Sequence, residues 1–184
     1  MELEVSAEAK DKRLNRMIAI TVVALSVFVG LCHIKDENIV QAMERSEAHA
    51  IDTWNQYQAT RTKQHLSQAS RTQLALLGQP GKVDPALAEL DRDIARYKGE
   101  APALADKARD QDAEYDRLNF RDDQFDAADA AISTAISLAA VAALVESLGL
   151  LMVAWGFGGF GVFMGLEAFL GGAFHPAALS TFLG

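Results

Sequence analysis

The chain has few of the residues that build disulfide frameworks and loop-rich domains. It contains one cysteine, Cys32, and four prolines among 184 residues. A single cysteine excludes an intrachain disulfide and any cysteine-based zinc site. Cations are also scarce: 17 Lys and Arg face 25 Asp and Glu, for a formal net charge of -8. This balance argues against nucleic acid as a partner, because that affinity rests on many Lys and Arg contacts to phosphate.

Charge is nearly absent from two long stretches, residues 17–34 and 127–170. A helix of a soluble protein usually has one polar and one apolar face. The separation of charged and apolar residues into long blocks therefore predicts an integral membrane protein in contact with a lipid bilayer. We expect a polar N-terminal tail at 1–13 and a first transmembrane helix at 14–34. A cleaved signal peptide is the alternative, but the apolar core is long and no small-x-small cleavage site follows it.

The second apolar stretch is too long for one span and fits two. Glu146 and Ser147 divide it, which predicts transmembrane helices at 127–146 and 148–170 and a C-terminal tail at 171–184. A single long tilted helix is the alternative. It would place Glu146 at mid-membrane, where a charged side chain is costly.

The region between the first two spans, residues 35–126, is predicted to form a helical arm. Residues 36–77 contain neither Pro nor Gly, which favours one helix, and Gly and Pro residues then cluster at 78–85. In the return leg, apolar residues recur at intervals of three and four. Gly99 to Pro102 are expected to interrupt that leg. The predicted fold is therefore an all-α membrane protein. Three transmembrane helices carry a long extramembrane antiparallel helical hairpin, resembling a coiled coil, between the first and second.

The outward leg is only partly apolar. Beyond Tyr57 the stripe thins, and residues 60–73 contain little more than Leu66 and Ala69. A stripe this thin needs more than one partner to be covered. We therefore expect several copies to bundle their arms as a homo-oligomer.

The outward leg also carries the sequence WNQYQA at 54–59, followed by RTKQH at 61–65. This signature resembles a bacterial membrane family known as domain of unknown function 4337. The resemblance covers most of the chain and implies the same order: a basic start, a span, the Trp/Tyr/Gln helix, an acidic return helix and two final spans. It implies no activity. The chain departs from the pattern at the last turn, where Glu146 and Ser147 stand in place of the expected basic residues.

Orientation follows from Lys and Arg close to the spans. Four basic residues, Lys10, Lys12, Arg13 and Arg16, precede the uncharged core of the first span, which favours a cytoplasmic N-terminus. Together with the family resemblance, this predicts the inner (cell) membrane of a bacterium, with the arm in the periplasm.

Two groups of residues stand out as candidate sites. Helical spacing predicts packing within the arm or between the copies of an oligomer, with a binding stripe for an anion or a partner helix as the alternative for the arm residues. The packing candidates are Trp54, Tyr57, Gln58, Arg61, Gly161 and Gly165. Acids near the span ends predict either an ion path or a solvated helix face. The ion-path candidates are Asp126, Asp129 and Glu167.

No nucleotide loop, dinucleotide fingerprint, nucleophile elbow or metal-ligand spacing is present in the sequence. We therefore expect no catalytic residue, no metal and no cofactor. Three functions remain open. The first is a non-enzymatic homo-oligomeric scaffold, the second an ion-conducting or gating oligomer with an acidic vestibule, and the third an accessory subunit of a larger membrane complex.

Overall fold

The computed structural model describes residues 2–79 and 81–174, with side chains from residue 12 onward. All regular structure in these ranges is helical: α1 (Glu2–Leu77), α2 (Asp84–Leu144) and α3 (Leu148–Leu170). Each helix contains a segment long and apolar enough to cross a membrane. The predicted all-α class with three long helices is confirmed. Most of the predicted C-terminal tail, residues 175–184, lies outside the described residues.

The helices contribute to two compact units. The first unit contains residues 2–41 and 117–174, and the second contains residues 42–116. In the first unit, the beginning of α1 packs with the end of α2 and with α3. Its core joins long aliphatic side chains to alanines: Leu14 and Ile18 of α1, Ala139 and Ala142 of α2, and Leu151 and Ala154 of α3.

Glycines on α3 bring the helices of the first unit close together. A Cβ atom added at Gly161 would lie 2.6 Å from Cγ1 of Ile132 and 2.9 Å from the backbone oxygen of Ala128 on α2. One at Gly165 would lie 2.7 Å from the ring of Phe28 on α1. These distances leave no room for a side chain, so α3 approaches both neighbours at the glycine positions.

Both ends of α3 are fixed by polar contacts. Glu146 has a φ of 51° in the turn after α2, and the Ser147 hydroxyl accepts a hydrogen bond from the Leu150 amide. At the other end, the Arg121 guanidinium of α2 donates to the Ala168 carbonyl at 2.9 and 3.2 Å. Gln124, which is fully buried, donates to the Gly172 carbonyl at 3.1 Å. The exposed carbonyls of a helix C-terminus favour such donors.

In the second unit, the buried side chains are small or polar. On α1 they recur at intervals of three and four from Met43, as Ser46, Ala50 and Thr53, with Gln64 further along. On α2 they are Ala101, Ala105 and Ala108. Among the described residues of this unit, polar contacts between α1 and α2 include the following. The Ser46 hydroxyl donates to the Gln111 carbonyl at 2.8 Å, the Trp54 indole donates to Asp112 at 3.1 Å, and Arg71 donates to Asp91 at 2.5 Å.

The predicted interruption at Gly99 to Pro102 is wrong. Helix α2 runs without a break from Asp84 to Leu144, with Pro102 inside it. Proline costs about 3 kcal/mol in a helix interior, because it removes one backbone donor and crowds the preceding turn. Here buried alanines lie on both sides of it, Ala101 and Ala105. Their packing holds the helix together across the proline.

The close approach at Gly161 gives a matched pair of variants. Gly161→Ala is expected to destabilise the first unit by about 1–3 kcal/mol, because the new methyl group meets backbone as well as side chain. Gly159→Ala, two residues away on the same helix, meets nothing within 4 Å and is expected to be neutral or slightly stabilising. Unfolding in mild detergent, followed by circular dichroism during titration with SDS, would compare them. Equal stabilities of the two variants would contradict the packing described for Gly161.

Candidate functional site

An acidic cluster lies in the first unit, where α1 passes α2. Asp122, Asp126 and Asp129 share one face of α2, since they are spaced by four and three residues. Asp36 lies across from them on α1, where its carboxyl group is close enough to that of Asp122 for the two to share a hydrogen bond when one of them is protonated. A second contact between the helices places Nε2 of His33 3.0 Å from Oδ1 of Asp129.

The Asp36–Asp122 pair retains a proton more strongly than isolated carboxyl groups do. Partial burial, the hydrogen bond to Asp36 and the nearby negative charges raise the pKa of Asp122 to about 6. Burial also raises the pKa of Asp36, and the charges of Asp126 and Asp129 add to this effect. Oδ1 of Asp36 is buried and accepts no hydrogen bond. Burial and the neighbouring charges therefore favour one proton held between the two carboxyl groups.

The three predicted ion-path residues do not form one group. Asp126 belongs to the cluster, where burial and the charges of Asp122 and Asp123 raise its pKa. Asp129 pairs with His33. Glu167 lies instead in the last turn of α3, where its carboxylate lies against Gly172. No set of three or more His, Cys, Asp or Glu side chains within residues 12–79 and 81–174 is arranged to hold a metal ion.

The predicted packing residues of the arm have different surroundings. Trp54 is half-buried, donates to Asp112 and packs edge-to-face on Tyr57 with ring centroids 5.6 Å apart. Gln58 is exposed. Arg61 donates a hydrogen bond to Oε1 of Gln64 on its own helix, at 2.8 Å. The two aromatic residues and Arg61 therefore lie close to the buried positions of α1, and Gln58 lies away from them.

The predicted glycines, Gly161 and Gly165, both contact helices of the same chain. Gly161 faces α2 and Gly165 faces α1 near Cys32. Gly158, which the sequence analysis did not select, makes the same kind of contact with Leu25. The spacing of Gly158, Gly161 and Gly165 by three and four residues is the signal that could have identified it.

Sequence reasoning also missed Asp36, Arg121 and Gln124. Asp36 lies two residues beyond the predicted end of the first span, and Asp126 lies just before the second. Two spans packed side by side bring such flanking acids to the same level, so position relative to the spans was the available signal for Asp36. Arg121 and Gln124 act on backbone carbonyls of α3, and nothing in the local sequence marks that contact.

Comparison with known proteins identifies the family of the chain but assigns it no activity. The family model described as Domain of unknown function (DUF4337) matches residues 14–171, which is most of the chain. No curated protein and no solved structure matches it.

The raised pKa of Asp122 predicts how the stability of the first unit depends on pH. A carboxyl group whose pKa is higher in the folded than in the unfolded state favours folding when it is protonated. Its contribution is therefore complete below about pH 4 and is lost as the pH rises through about 6. Asp122→Asn should remove this loss, because the amide still donates to Asp36 without a charge of its own. The variant should unfold at a higher temperature than the wild type at pH 7.5 and should show a flatter pH profile.

The matched control for this experiment is Asp110→Asn, which neutralises an exposed carboxylate of the second unit. Unfolding temperatures measured from pH 4 to 8 compare the three proteins. If Asp122→Asn and the wild type lose stability in parallel between pH 4 and 7, the group whose protonation stabilises the first unit is not the Asp36–Asp122 pair.

Proposed function

The chain belongs to the family described as domain of unknown function (DUF4337), and we propose that it is a non-enzymatic integral membrane scaffold that assembles as a homo-oligomer. In this proposal residues 14–34, 127–146 and 148–170 cross the membrane. The second unit is an antiparallel coiled-coil-like hairpin outside the membrane. The four basic residues before the first span support a cytoplasmic N-terminus. The membrane is then a bacterial inner membrane, and the arm lies in the periplasm.

The apolar outer surface of the first unit supports membrane insertion. Along α1, large aliphatic side chains recur at intervals of three and four, and each is more than half exposed: Ile20, Val23, Val27, Leu31 and Ile34. Further exposed apolar side chains, such as Val141 on α2 and Phe157 and Phe163 on α3, continue this surface. Water would solvate such a surface poorly, whereas lipid tails cover it without cost.

One observation supports the proposal of a homo-oligomer. The buried positions of the arm are filled by small or polar side chains, whereas several large apolar side chains are exposed. Apart from Met43, the buried residues of the second unit are Ala, Ser, Thr and Gln. Leu66, Leu76 and Leu77 are 66, 78 and 77% exposed. Covering one leucine is worth about 1.5–3 kcal/mol. Assembly of several arms would therefore cover large apolar side chains that the single arm leaves exposed.

The arm is also suited to a scaffold because it offers surface and little enclosed space. Its side chains pair mainly with neighbours on the same helix, as Arg96 does with Asp93 at 2.9 Å and Arg109 with Asp106 at 2.7 Å. Exposed ion pairs of this kind contribute little to stability and keep a long helix soluble. A long, charged helical surface of this type supports protein contacts.

The oligomer is tested by the mass of the purified particle. The full chain, extracted in a mild detergent, is expected to have a protein mass that is a multiple of 19.9 kDa. Native mass spectrometry or light scattering with detergent correction measures this mass. A particle of one protomer contradicts the proposal. Constant co-purification of a different protein in fixed ratio would instead identify the chain as an accessory subunit of a larger membrane complex.

The acidic cluster supports a second candidate function, an ion-conducting or gating oligomer. Four aspartates, Asp36, Asp122, Asp126 and Asp129, lie at the passage of α1 past α2. If several copies surrounded an axis, these carboxylates would concentrate cations at the mouth of the path. Glu167 would then contribute from the end of α3.

Planar bilayers separate the scaffold from the channel. The scaffold predicts no conductance above that of protein-free membranes. The channel predicts a cation conductance that falls at least about tenfold in the Asp126→Asn/Asp129→Asn variant, because the local cation concentration depends on these charges. An exposed-acid control, Asp110→Asn/Asp116→Asn, should leave any conductance unchanged. Conductance abolished only by the first variant would replace the scaffold with the channel.

A further inference from the structure

The second unit contains an open groove of about 430 Å³ between α1 and α2. Its volume lies within the range of small-molecule sites, about 300–1,000 Å³. The apolar part of its lining includes Ile51 and Trp54 of α1 and Tyr115 of α2. The charged part consists of Glu47 of α1 and of Asp112 and Asp116 of α2. We call it the aromatic groove. All of these residues belong to one chain, so a single protomer contains the whole groove.

The negative charge of the aromatic groove is not balanced by its own lining. Among the described residues, three acids line it and no Lys, Arg or His does. Exposed acids elsewhere in the arm pair with arginine side chains, as Asp91 does with Arg71 and Asp93 with Arg96. The aromatic groove therefore attracts positive charge from solution.

Two other grooves of the arm have a different chemistry. One of about 520 Å³ is lined by Lys63 and Lys107 together with a single acid, Glu100. Another of about 360 Å³ has a mainly aliphatic and amide lining that includes Leu74 and Leu90 and no charged residue. Neither lining contains an aromatic ring. Of these three grooves, the aromatic groove alone combines aromatic rings with acids.

The indole of Trp54 is held in a fixed position at the groove. Its Nε1 donates to Oδ2 of Asp112 at 3.1 Å, and its ring packs edge-to-face on Tyr57. The faces of Trp and Tyr rings carry partial negative charge and attract cations. The carboxylates attract the same ligands through their full charge. The two kinds of side chain therefore favour one class of ligand, a cation with an apolar body.

The lining favours an organic cation over a metal ion. A hard metal ion needs several oxygen ligands that converge on one point. No group of three or more acids within the described residues is arranged in this way. Ammonium groups on an aliphatic chain can instead bond to separate carboxylates, while their methylene groups contact Ile51 and the aromatic rings. Because carboxylates lie on both helices, a ligand with more than one ammonium group neutralises more of them than a monovalent ligand does.

We propose that the aromatic groove binds an aliphatic diamine or polyamine. This ligand site goes beyond the proposed scaffold and does not depend on the oligomeric state, because the groove lies within one protomer. Binding of such a cation would also join α1 to α2 through charge-assisted hydrogen bonds on both helices.

The fluorescence of Trp54 tests the proposal directly. The chain has two tryptophans, and Trp155→Phe leaves Trp54 as the single one. Trp155 belongs to the first unit, where its indole donates to Thr21. The full-length variant in a non-ionic detergent is titrated with spermidine at constant ionic strength, and a saturable change in Trp54 emission is expected. Putrescine and then butylammonium, which carry fewer ammonium groups, should bind more weakly. Isothermal titration calorimetry of the wild type with spermidine checks the affinity without any substitution.

A matched pair of double variants tests the carboxylates. Asp112→Asn/Asp116→Asn is expected to weaken spermidine binding at least about tenfold, because two of the three charges are lost. Asparagine at position 112 can still accept the hydrogen bond from Trp54, so the indole stays in place. Asp106→Asn/Asp110→Asn removes the same charge at the same spacing outside the groove and should leave the affinity unchanged.

The aromatic contribution is tested by Tyr115→Leu. Leucine keeps an apolar side chain at this position but has no ring to attract a cation. The affinity for spermidine should fall about threefold or more. Equal affinities of Tyr115→Leu and the wild type would overturn the role proposed for the ring.

The remaining outcomes separate the amine from other ligands. Absence of a saturable response to spermidine overturns the site and leaves the scaffold standing. An equal response to Mg²⁺ at the same ionic strength overturns the organic ligand. Binding of N-acetyl-lysine amide as tight as that of spermidine overturns the polyamine in favour of a lysine side chain of another protein. Saturable binding that is lost in Asp112→Asn/Asp116→Asn and kept in Asp106→Asn/Asp110→Asn supports the proposal.

Discussion

Close approach between helices, permitted by glycine and alanine at the contact positions, is the constraint on which both units depend. In the first unit, α3 meets α2 at Gly161 and α1 at Gly165, and no larger residue fits at either point. In the second unit, four of the buried residues are alanines, Ala50 of α1 and Ala101, Ala105 and Ala108 of α2. Small contact residues maximise backbone proximity and dispersion contacts, but they bury little apolar area in water.

This trade-off has different consequences in the two units. Under the membrane insertion proposed above, apolar burial between the helices of the first unit brings no gain in lipid, so close packing and the polar contacts at the ends of α3 suffice. Under the same proposal the second unit lies in water, where an interior rich in alanine, serine and threonine provides little stabilising burial. Several large apolar side chains of the arm, Leu66 and Leu76 among them, lie outside that interior. The proposed association of several arms would cover them.

Much of the fold could be predicted from the sequence, because the strongest signals are local. Clustered glycine and proline end α1, and the absence of both from residues 36–77 makes it continuous. Pro102 was misjudged because a local rule was applied where tertiary packing decides. The acidic cluster could be predicted only in part. Asp126 and Asp129 stand out by spacing on one helix, but the partner of Asp122 is Asp36, 86 positions earlier. Which faces of two helices meet is set by packing, and a single sequence contains no direct record of it.

The contacts of the second unit also imply an order of folding. Arg71 and Asp91 are 20 residues apart in sequence, whereas Ser46 and Gln111 are 65 apart. Closing the longer loop costs about 1 kcal/mol more in chain entropy. Three of the four half-buried leucines of the second unit, Leu74, Leu87 and Leu90, lie next to the turn that joins the two helices, so the first loop to close also gains apolar contact. The two helices of the arm would then pair progressively, starting at the turn that joins them. The positions lined by alanine would pair last, when the two helices are already held side by side.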